Sequence, residues 1–263
     1  MQLHLDGKVV LVTDRWYKGY REGDCGSINA HADDSLAEGA TVHFCSRTAN
    51  EVQTSEAALS SSFPSAKAIG AVVDVAQPDQ ITSWVSRAAQ QSNHIDVVVS
   101  NVSALSIPNT PESWTSSFHI DMMGIVTLVS AALPHLEKTK GNIIAISSVS
   151  GRDIDFTAPG PYGAFKAALI HYISQLAHVH APKGVRANTV SPGNIYIEDG
   201  VWGGIEKGNP ELFKAQFEKN PMGRMGRPQE IADAVVFLAS ERSAFTSGAN
   251  FVVDGAVCNG VQF

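Results

Sequence analysis

Short apolar runs rich in β-branched residues alternate with helix-patterned segments along the whole chain, and this alternation narrows the possible folds most. Lys8–Thr13, Thr41–Cys45, Ala68–Val73, Ile95–Ser100, Ile143–Ile146, Arg186–Val190 and Asn250–Val253 read as strands. Between them, segments near Ala49–Ser62, Pro78–Gln91, Pro111–Leu136, Tyr162–His180 and Pro228–Ser240 read as helices. In the helix that starts at Tyr162, Leu169, Tyr172, Ile173 and Leu176 form an i, i+3, i+4, i+7 stripe. Strands that are apolar throughout bury both faces, so the pattern predicts an α/β fold with a parallel sheet covered by helices on each side. No linker, repeat or low-complexity segment divides residues 1–263, and one domain is expected. The longest irregular stretch, 192–221, is glycine-rich and reads as a lid over a substrate site.

Composition narrows the function. With 263 residues, 44% of them hydrophobic, the chain can bury one sizeable core. Its net charge of −7 comes from interspersed acids and bases, which argues against a nucleic-acid partner or an anionic membrane surface. The start, MQLHLDGKVVLVT, lacks a basic segment followed by a long apolar one, and no run is long enough to span a bilayer. Cys25, Cys45 and Cys258 are few, odd in number and widely spaced, which fits a reducing, cytoplasmic setting without a disulfide framework. None has a cysteine or histidine partner at metal-ligand spacing, and no metal site is expected.

In a doubly wound sheet the ligand lies beyond the carboxyl ends of the strands. Ser46 and Arg47 follow the second strand, Asp74 the third, Asn101 the fourth, Ser147 and Ser148 the fifth, Pro192 and Gly193 the sixth. Together they line one edge and favour a nucleotide-sized cleft. The stretch Gly141–His171 adds chemistry to that edge. Tyr162 and Lys166 are four apart and share a helix face. An ammonium beside a phenol is expected to lower the tyrosine pKa towards working pH. A serine hydroxyl at the end of the neighbouring strand, fourteen residues before Tyr162, can hold a carbonyl oxygen.

From about Leu5 onwards, and most closely after Ile95, the chain resembles the short-chain dehydrogenase/reductase superfamily. Ser148, Tyr162 and Lys166 correspond to that family's serine–tyrosine–lysine set, Asp74-Val75 to its adenine-binding pair, and Asn101 to the kept member of its Asn-Asn-Ala-Gly motif. Pro192-Gly193 and the ending Phe251-Val252-Val253-Asp254-Gly255 also fit the family's pattern. The resemblance implies a single-domain Rossmann-type doubly wound parallel sheet of about seven strands. It implies that Tyr162 is the general acid in carbonyl reduction, that Lys166 lowers its pKa and holds the nicotinamide ribose, and that Ser148 stabilises the substrate oxygen. Thr13, Lys18, Ser46, Arg47, Asp74, Val75, Asn101, Tyr162, Lys166, Pro192 and Gly193 would then contact the cofactor. Arg47 suits a 2′-phosphate, and no acidic residue stands at the end of the second strand to select NAD(H), so NADP(H) is the expected cofactor. A small carbonyl/alcohol substrate is expected against Ser148, Tyr196 and Trp202, with Ile195, Ile197 and Val201 completing an apolar wall. A homodimer or homotetramer is implied by the family.

Two departures stand out. Where the family usually carries an asparagine three residues before a glycine, this chain has Asp121 ahead of Gly124, which brings a charge near Lys166. The larger departure is residues 14–36. The family's Thr-Gly-x-x-x-Gly-x-Gly turn, whose glycines let the backbone approach a pyrophosphate, is reduced to Thr13 and, loosely, Lys18-Gly19. Trp16, Tyr17 and Tyr20 are bulky where closeness is needed, and Asp14 is negative where phosphate belongs. Gly23, Gly26, Asn29, Asp33 and Asp34 make a poor first helix, which is expected to be short, shifted or missing. Three readings stay open. Arg15, Lys18 or Arg21 meet the phosphates by side chain; or the cofactor is lost, leaving acid–base chemistry (isomerisation, dehydration or cyclisation) or a binding role alone; or the segment is a sequence artefact, as the return to family-like sequence at Ala37-Glu38-Gly39-Ala40 suggests.

Overall fold

A computed structural model describes residues 3–14 and 27–260. Seven strands form one parallel sheet: β1 (Val9–Asp14), β2 (Thr41–Ser46), β3 (Lys67–Val72), β4 (Val97–Asn101), β5 (Asn142–Ile146), β6 (Arg186–Pro192) and β7 (Asn250–Val253). Their spatial order is β3-β2-β1-β4-β5-β6-β7. Every neighbouring pair is parallel. The strand order reverses between β1 and β4, where Thr13 lies beside Ser100 and Asp14 beside Asn101. A crevice opens at such a switch point because the connecting helices leave to opposite faces.

The helices are α1 (Ser27–Ala37), α2 (Ala49–Ser62), α3 (Pro78–Ser92), α4 (Pro111–Ser117), α5 (Gly124–Thr139), α6 (Pro161–His180), α7 (Val201–Gly208), α8 (Pro210–Phe217) and α9 (Pro228–Ala239). On one face α3, α5 and α6 bring Trp84, Ile125, Leu128, Leu169 and Ile173 onto Leu11, Val98 and Ile143. On the other, α1, α2 and α9 bring Leu36, Leu59, Ile231 and Val235 onto Val10, Val12, Val99 and Ile144. The strands are buried on both sides, which is why they read as apolar throughout. A π-helical turn, Phe118–Met123, joins α4 to α5. By length and hydropathy the continuous helix 111–139 is comparable to a membrane span, which the sequence reading did not anticipate. Its Ile125, Leu128, Val129, Ala132 and Leu136 are instead buried against the sheet.

Of the alternatives expected for the first helix, absence is excluded: α1 is an 11-residue helix that begins at Ser27. Its propensity is poor, but Ala30, Ala32 and Leu36 are buried, and tertiary packing overrides a weak local preference. The stretch 192–221 is not irregular, since it contains α7 and α8. Asn209 caps α8 by accepting from the Leu212 amide, and Pro210 fits the first helical position.

Candidate active site

Strand β5 ends at Ile146 and hands over to Ser147 and Ser148 at the carboxyl edge of the sheet. The Ser147 hydroxyl donates to the Lys166 carbonyl at 2.8 Å, tying that edge to α6. Ser148 opens a 3₁₀ turn, Val149–Gly151, and its hydroxyl accepts from the Ser150 amide at 3.1 Å. This turn packs directly on the first turns of α6. A Cβ at Gly151 would sit 2.6 Å from the Lys166 carbonyl carbon, and one at Gly163 2.6 Å from the Ser150 oxygen. Glycine at both places lets the serine-bearing turn pack closely against the helix, so that Ser148 and Tyr162 line the same cleft.

Lys166 is 2% exposed. Its ammonium donates to the Ile146 carbonyl at 3.1 Å and the Val102 carbonyl at 3.5 Å, and lies 5.8 Å from the centre of the Tyr162 ring. Asp121, from the π-helical turn, stands with Oδ1 3.6 Å from the Lys166 Nζ, while Oδ2 accepts from the Ala104 amide at 3.2 Å. π-Helical turns re-aim a side chain by one residue and often occur at functional sites.

Burial pushes the Lys166 pKa down, and Asp121 opposes that shift. The expectation that Lys166 lowers the Tyr162 pKa is overturned. Burial pushes the phenol up, the charges of Asp121 and Asp155 add to the rise, and only the Ser148 hydrogen bond opposes it. The main cause is burial of the phenol, and the carboxylate at position 121, which also pairs with the Lys166 ammonium, adds to it. At neutral pH Tyr162 is therefore a protonated donor.

These groups face a cleft of about 400 Å³ at the end of the sheet. Asn101, Ser148, Tyr162, Lys166, Pro192, Gly193 and Trp202 line it, as the sequence suggested. Ile195, Ile197, Val201 and Ile205 complete an apolar part of the lining. Tyr196 does not line the cleft. Its hydroxyl donates to Glu206 at 2.6 Å, which pushes the phenol up to about 12. Its two isoleucine neighbours, on the other side of an extended segment, face inward instead. Sequence reasoning did not find Ser150, Asp155 and Thr157, which also line the cleft.

Along the rest of the edge, the Thr13 hydroxyl and the Asn101 amide nitrogen are buried with no hydrogen-bond partner among the described residues. Buried polar atoms are normally paired, so these two, at the ends of β1 and β4, fit a polar ligand laid across the switch point. Arg47 is exposed just beyond β2, Asp74 is half-buried and Val75 is buried beyond β3. Asp74 accepts from the Ala76 amide at 3.0 Å, so part of its carboxylate shapes its own turn. No acidic residue follows β2 directly in sequence, but one packs near its end from the next helix. Glu51, from the first turn of α2, accepts from the Ser46 hydroxyl at 2.5 Å. Lys18 and the other candidate phosphate ligands, Arg15 and Arg21, lie outside the described residues, as do Trp16, Tyr17, Tyr20 and Cys25.

Comparison with known proteins agrees with this geometry. A family model described as enoyl-(acyl carrier protein) reductase matches residues 27–257, beginning just after the altered turn. Isoepoxydon dehydrogenase of Penicillium expansum is 38% identical over 261 residues, 98% of each chain. L-fucose dehydrogenase of Bos taurus is 32% identical over 257 residues, 95% of this chain and 88% of the bovine one. Among solved structures, L-sorbose reductase from Gluconobacter frateurii, complexed with NADPH and L-sorbose, superposes with a TM-score of 0.87 at 25% identity, covering 99% of this chain and 100% of that one. An NADPH-bound short-chain oxidoreductase from Pseudomonas aeruginosa with an atypical catalytic centre superposes with a TM-score of 0.86 at 27% identity, covering 97% and 98%. Related over nearly its whole length to named dehydrogenases, and matched by the family model over most of it, the chain belongs to the short-chain dehydrogenase/reductase superfamily and is an NAD(P)-dependent oxidoreductase.

Proposed function

We propose that the protein interconverts a carbonyl and an alcohol with NADP(H), using Tyr162 as the general acid/base. The observation that carries this reading is the convergence of Ser148, Tyr162 and Lys166 on one cleft, with the phenol kept protonated. In the reducing direction Ser148 donates to the substrate carbonyl oxygen and Tyr162 delivers its proton to that oxygen as charge builds there. Lys166, fixed by two carbonyls and Asp121, is positioned to hold a ribose hydroxyl, and Asn101 and Thr13 offer their unpaired buried atoms to the same ligand. The nicotinamide, when bound, supplies or accepts the hydride. Arg47 supports NADP(H) over NAD(H), because an exposed guanidinium beyond β2 suits a 2′-phosphate. NADPH complexes of two structural relatives point the same way. Exposed Phe118 and Val179 on the long helices support a homodimer or homotetramer.

Titration of NADPH and NADH against the purified protein tests this reading. Saturable binding that favours NADPH is expected, and Arg47→Ala weakens NADPH by about tenfold while barely changing NADH. A folded protein that binds neither nucleotide at millimolar concentration would sink the proposal. Turnover by nucleotide-free protein would instead favour acid–base chemistry without hydride transfer.

The pH profile carries a second test. Alcohol oxidation needs Tyr162 as phenolate, so kcat/KM for oxidation rises with pH through the tyrosine pKa. Asp121 is one of two carboxylates that raise that pKa. Asp121→Asn therefore moves the rising limb to lower pH. A limb that stays in place or moves up shows that Asp121 does not act on the phenol.

A further inference from the structure

The cleft lining mixes two kinds of surface. Much of it is apolar, from Ile195, Ile197, Val201, Trp202 and Ile205. It also carries Asp155, a half-buried carboxylate that, with Trp202, lines both this cleft and an adjoining cavity of about 420 Å³. A charge in that position needs support, and the loop after β5 supplies it. Thr157 donates to Asp155 Oδ1 through its amide at 2.9 Å and its hydroxyl at 2.6 Å. The Ser150 hydroxyl donates to Oδ2 at 2.9 Å. Ser150 in turn donates its amide to the Ser148 hydroxyl at 3.1 Å, so Asp155 is two hydrogen bonds away from the serine that faces the reacting carbonyl. Burial works against ionisation of Asp155, but the bonds from Thr157 and Ser150 outweigh it and hold the carboxyl below its usual range.

An ionised carboxylate only accepts hydrogen bonds, and it has room for about four. Three are made within the loop, two to Oδ1 from Thr157 and one to Oδ2 from Ser150. The remaining capacity adjoins the cleft that Asp155 lines. A ligand meeting it must offer a donor and must not carry a negative charge, because two close anions repel in a partly desolvated site. The apolar residues of the same lining ask for a hydrocarbon face on that ligand.

We infer that Asp155 is a substrate-binding residue that accepts a hydrogen bond from a second hydroxyl beside the reacting carbon, and that the substrate is a neutral, vicinally hydroxylated carbonyl or alcohol with one apolar face. The inference takes the position of the reacting carbon from the oxidoreductase reading above. It separates this substrate class from simple alcohols, which leave Asp155 without a partner, and from hydroxy acids or phosphorylated sugars, which set a like charge against it.

Matched probes test it: cis- and trans-1,2-cyclohexanediol against cyclohexanol, with the wild type, Asp155→Asn and Asp155→Leu. Turnover with NADP⁺ and equilibrium binding by saturation-transfer NMR are both measured. The wild type is expected to favour at least one diol over the mono-alcohol in both measurements. Asp155→Leu lowers the diol-to-mono-alcohol ratio by about tenfold or more, the loss expected for a hydrogen bond to a charged group. The isosteric Asn variant shows a smaller fall in the same direction and decides the matter if the Leu variant does not fold. Equal losses for diol and mono-alcohol would make Asp155 a structural residue and overturn the inference, as would an unchanged ratio. If the wild type turns over none of the probes, the oxidoreductase reading is what suffers, and the binding ratio still decides the role of Asp155.

Discussion

Tyr162→Phe should lower kcat/KM for carbonyl reduction by about 10²–10⁴-fold, the range that a positioned general acid contributes. The substitution removes one oxygen and keeps the ring. Because the phenol is held protonated by burial and by the charges of Asp121 and Asp155, its chemical contribution at neutral pH is the proton it donates, and Phe deletes that proton alone. Ser148 still accepts from the Ser150 amide, so the turn that carries it keeps its anchor. Lys166 keeps its two carbonyl partners and Asp121, so NADPH affinity should change little. The informative result is the split: activity almost gone, the thermal transition and nucleotide binding nearly intact. Activity within tenfold of the wild type would mean that another group delivers the proton, and the assignment of Tyr162 would fail.

The parts of this molecule that could be read from sequence are those in which one residue type has one use. Ile143-Ile144-Ala145-Ile146 is apolar on both faces because β5 is buried on both faces, and its neighbours in the sheet share that property. The Tyr162–Lys166 spacing placed both side chains on α6 facing the cleft, since helical geometry fixes that relation without help from the rest of the chain. What could not be read depends on packing between distant segments. Helix α1 has polar and acidic residues on several sides, and its small buried face, Ala30, Ala32 and Leu36, is matched by Ile231 and Val235 of α9 some two hundred positions away. The Tyr162 pKa went the other way from the expectation because its sign is set by a sum over Asp121, Asp155 and desolvation, none adjacent to it in sequence. Glu51 was invisible as a partner of Ser46 because it reaches the end of β2 from the next helix. Tyr196 was placed in the substrate site by residue type, yet in an extended segment alternate side chains part, and its isoleucine neighbours took the inward positions.

Lys166→Met is the substitution expected to damage both stability and activity, and the two losses have separable causes. The side chains of Lys166 and Asp121 are 3% and 1% exposed, so the pair is removed from water. Replacing the lysine leaves Asp121 as a buried carboxylate whose remaining hydrogen bond comes from the Ala104 amide. Breaking one side of such a pair costs about 3–5 kcal/mol, largely because the surviving charge has no counter-ion. Thermal or urea denaturation should show that loss, and carbonyl reduction should fall with it, because the ammonium that would hold the cofactor ribose is gone. Adding Asp121→Asn to the methionine variant removes the stranded charge and keeps an oxygen for the Ala104 amide. The double variant should therefore regain a large part of the stability, so that the two substitutions are strongly non-additive. It should regain none of the activity, since neither the ammonium nor its contact with the Ile146 and Val102 carbonyls returns. A double variant no more stable than Lys166→Met alone would show that the lysine stabilises through its hydrogen bonds to the Ile146 and Val102 carbonyls, and that the carboxylate at 121 is not what makes its loss expensive. A double variant that recovers activity along with stability would show that the ammonium has no part in the reaction, leaving Ser148 and Tyr162 to carry it.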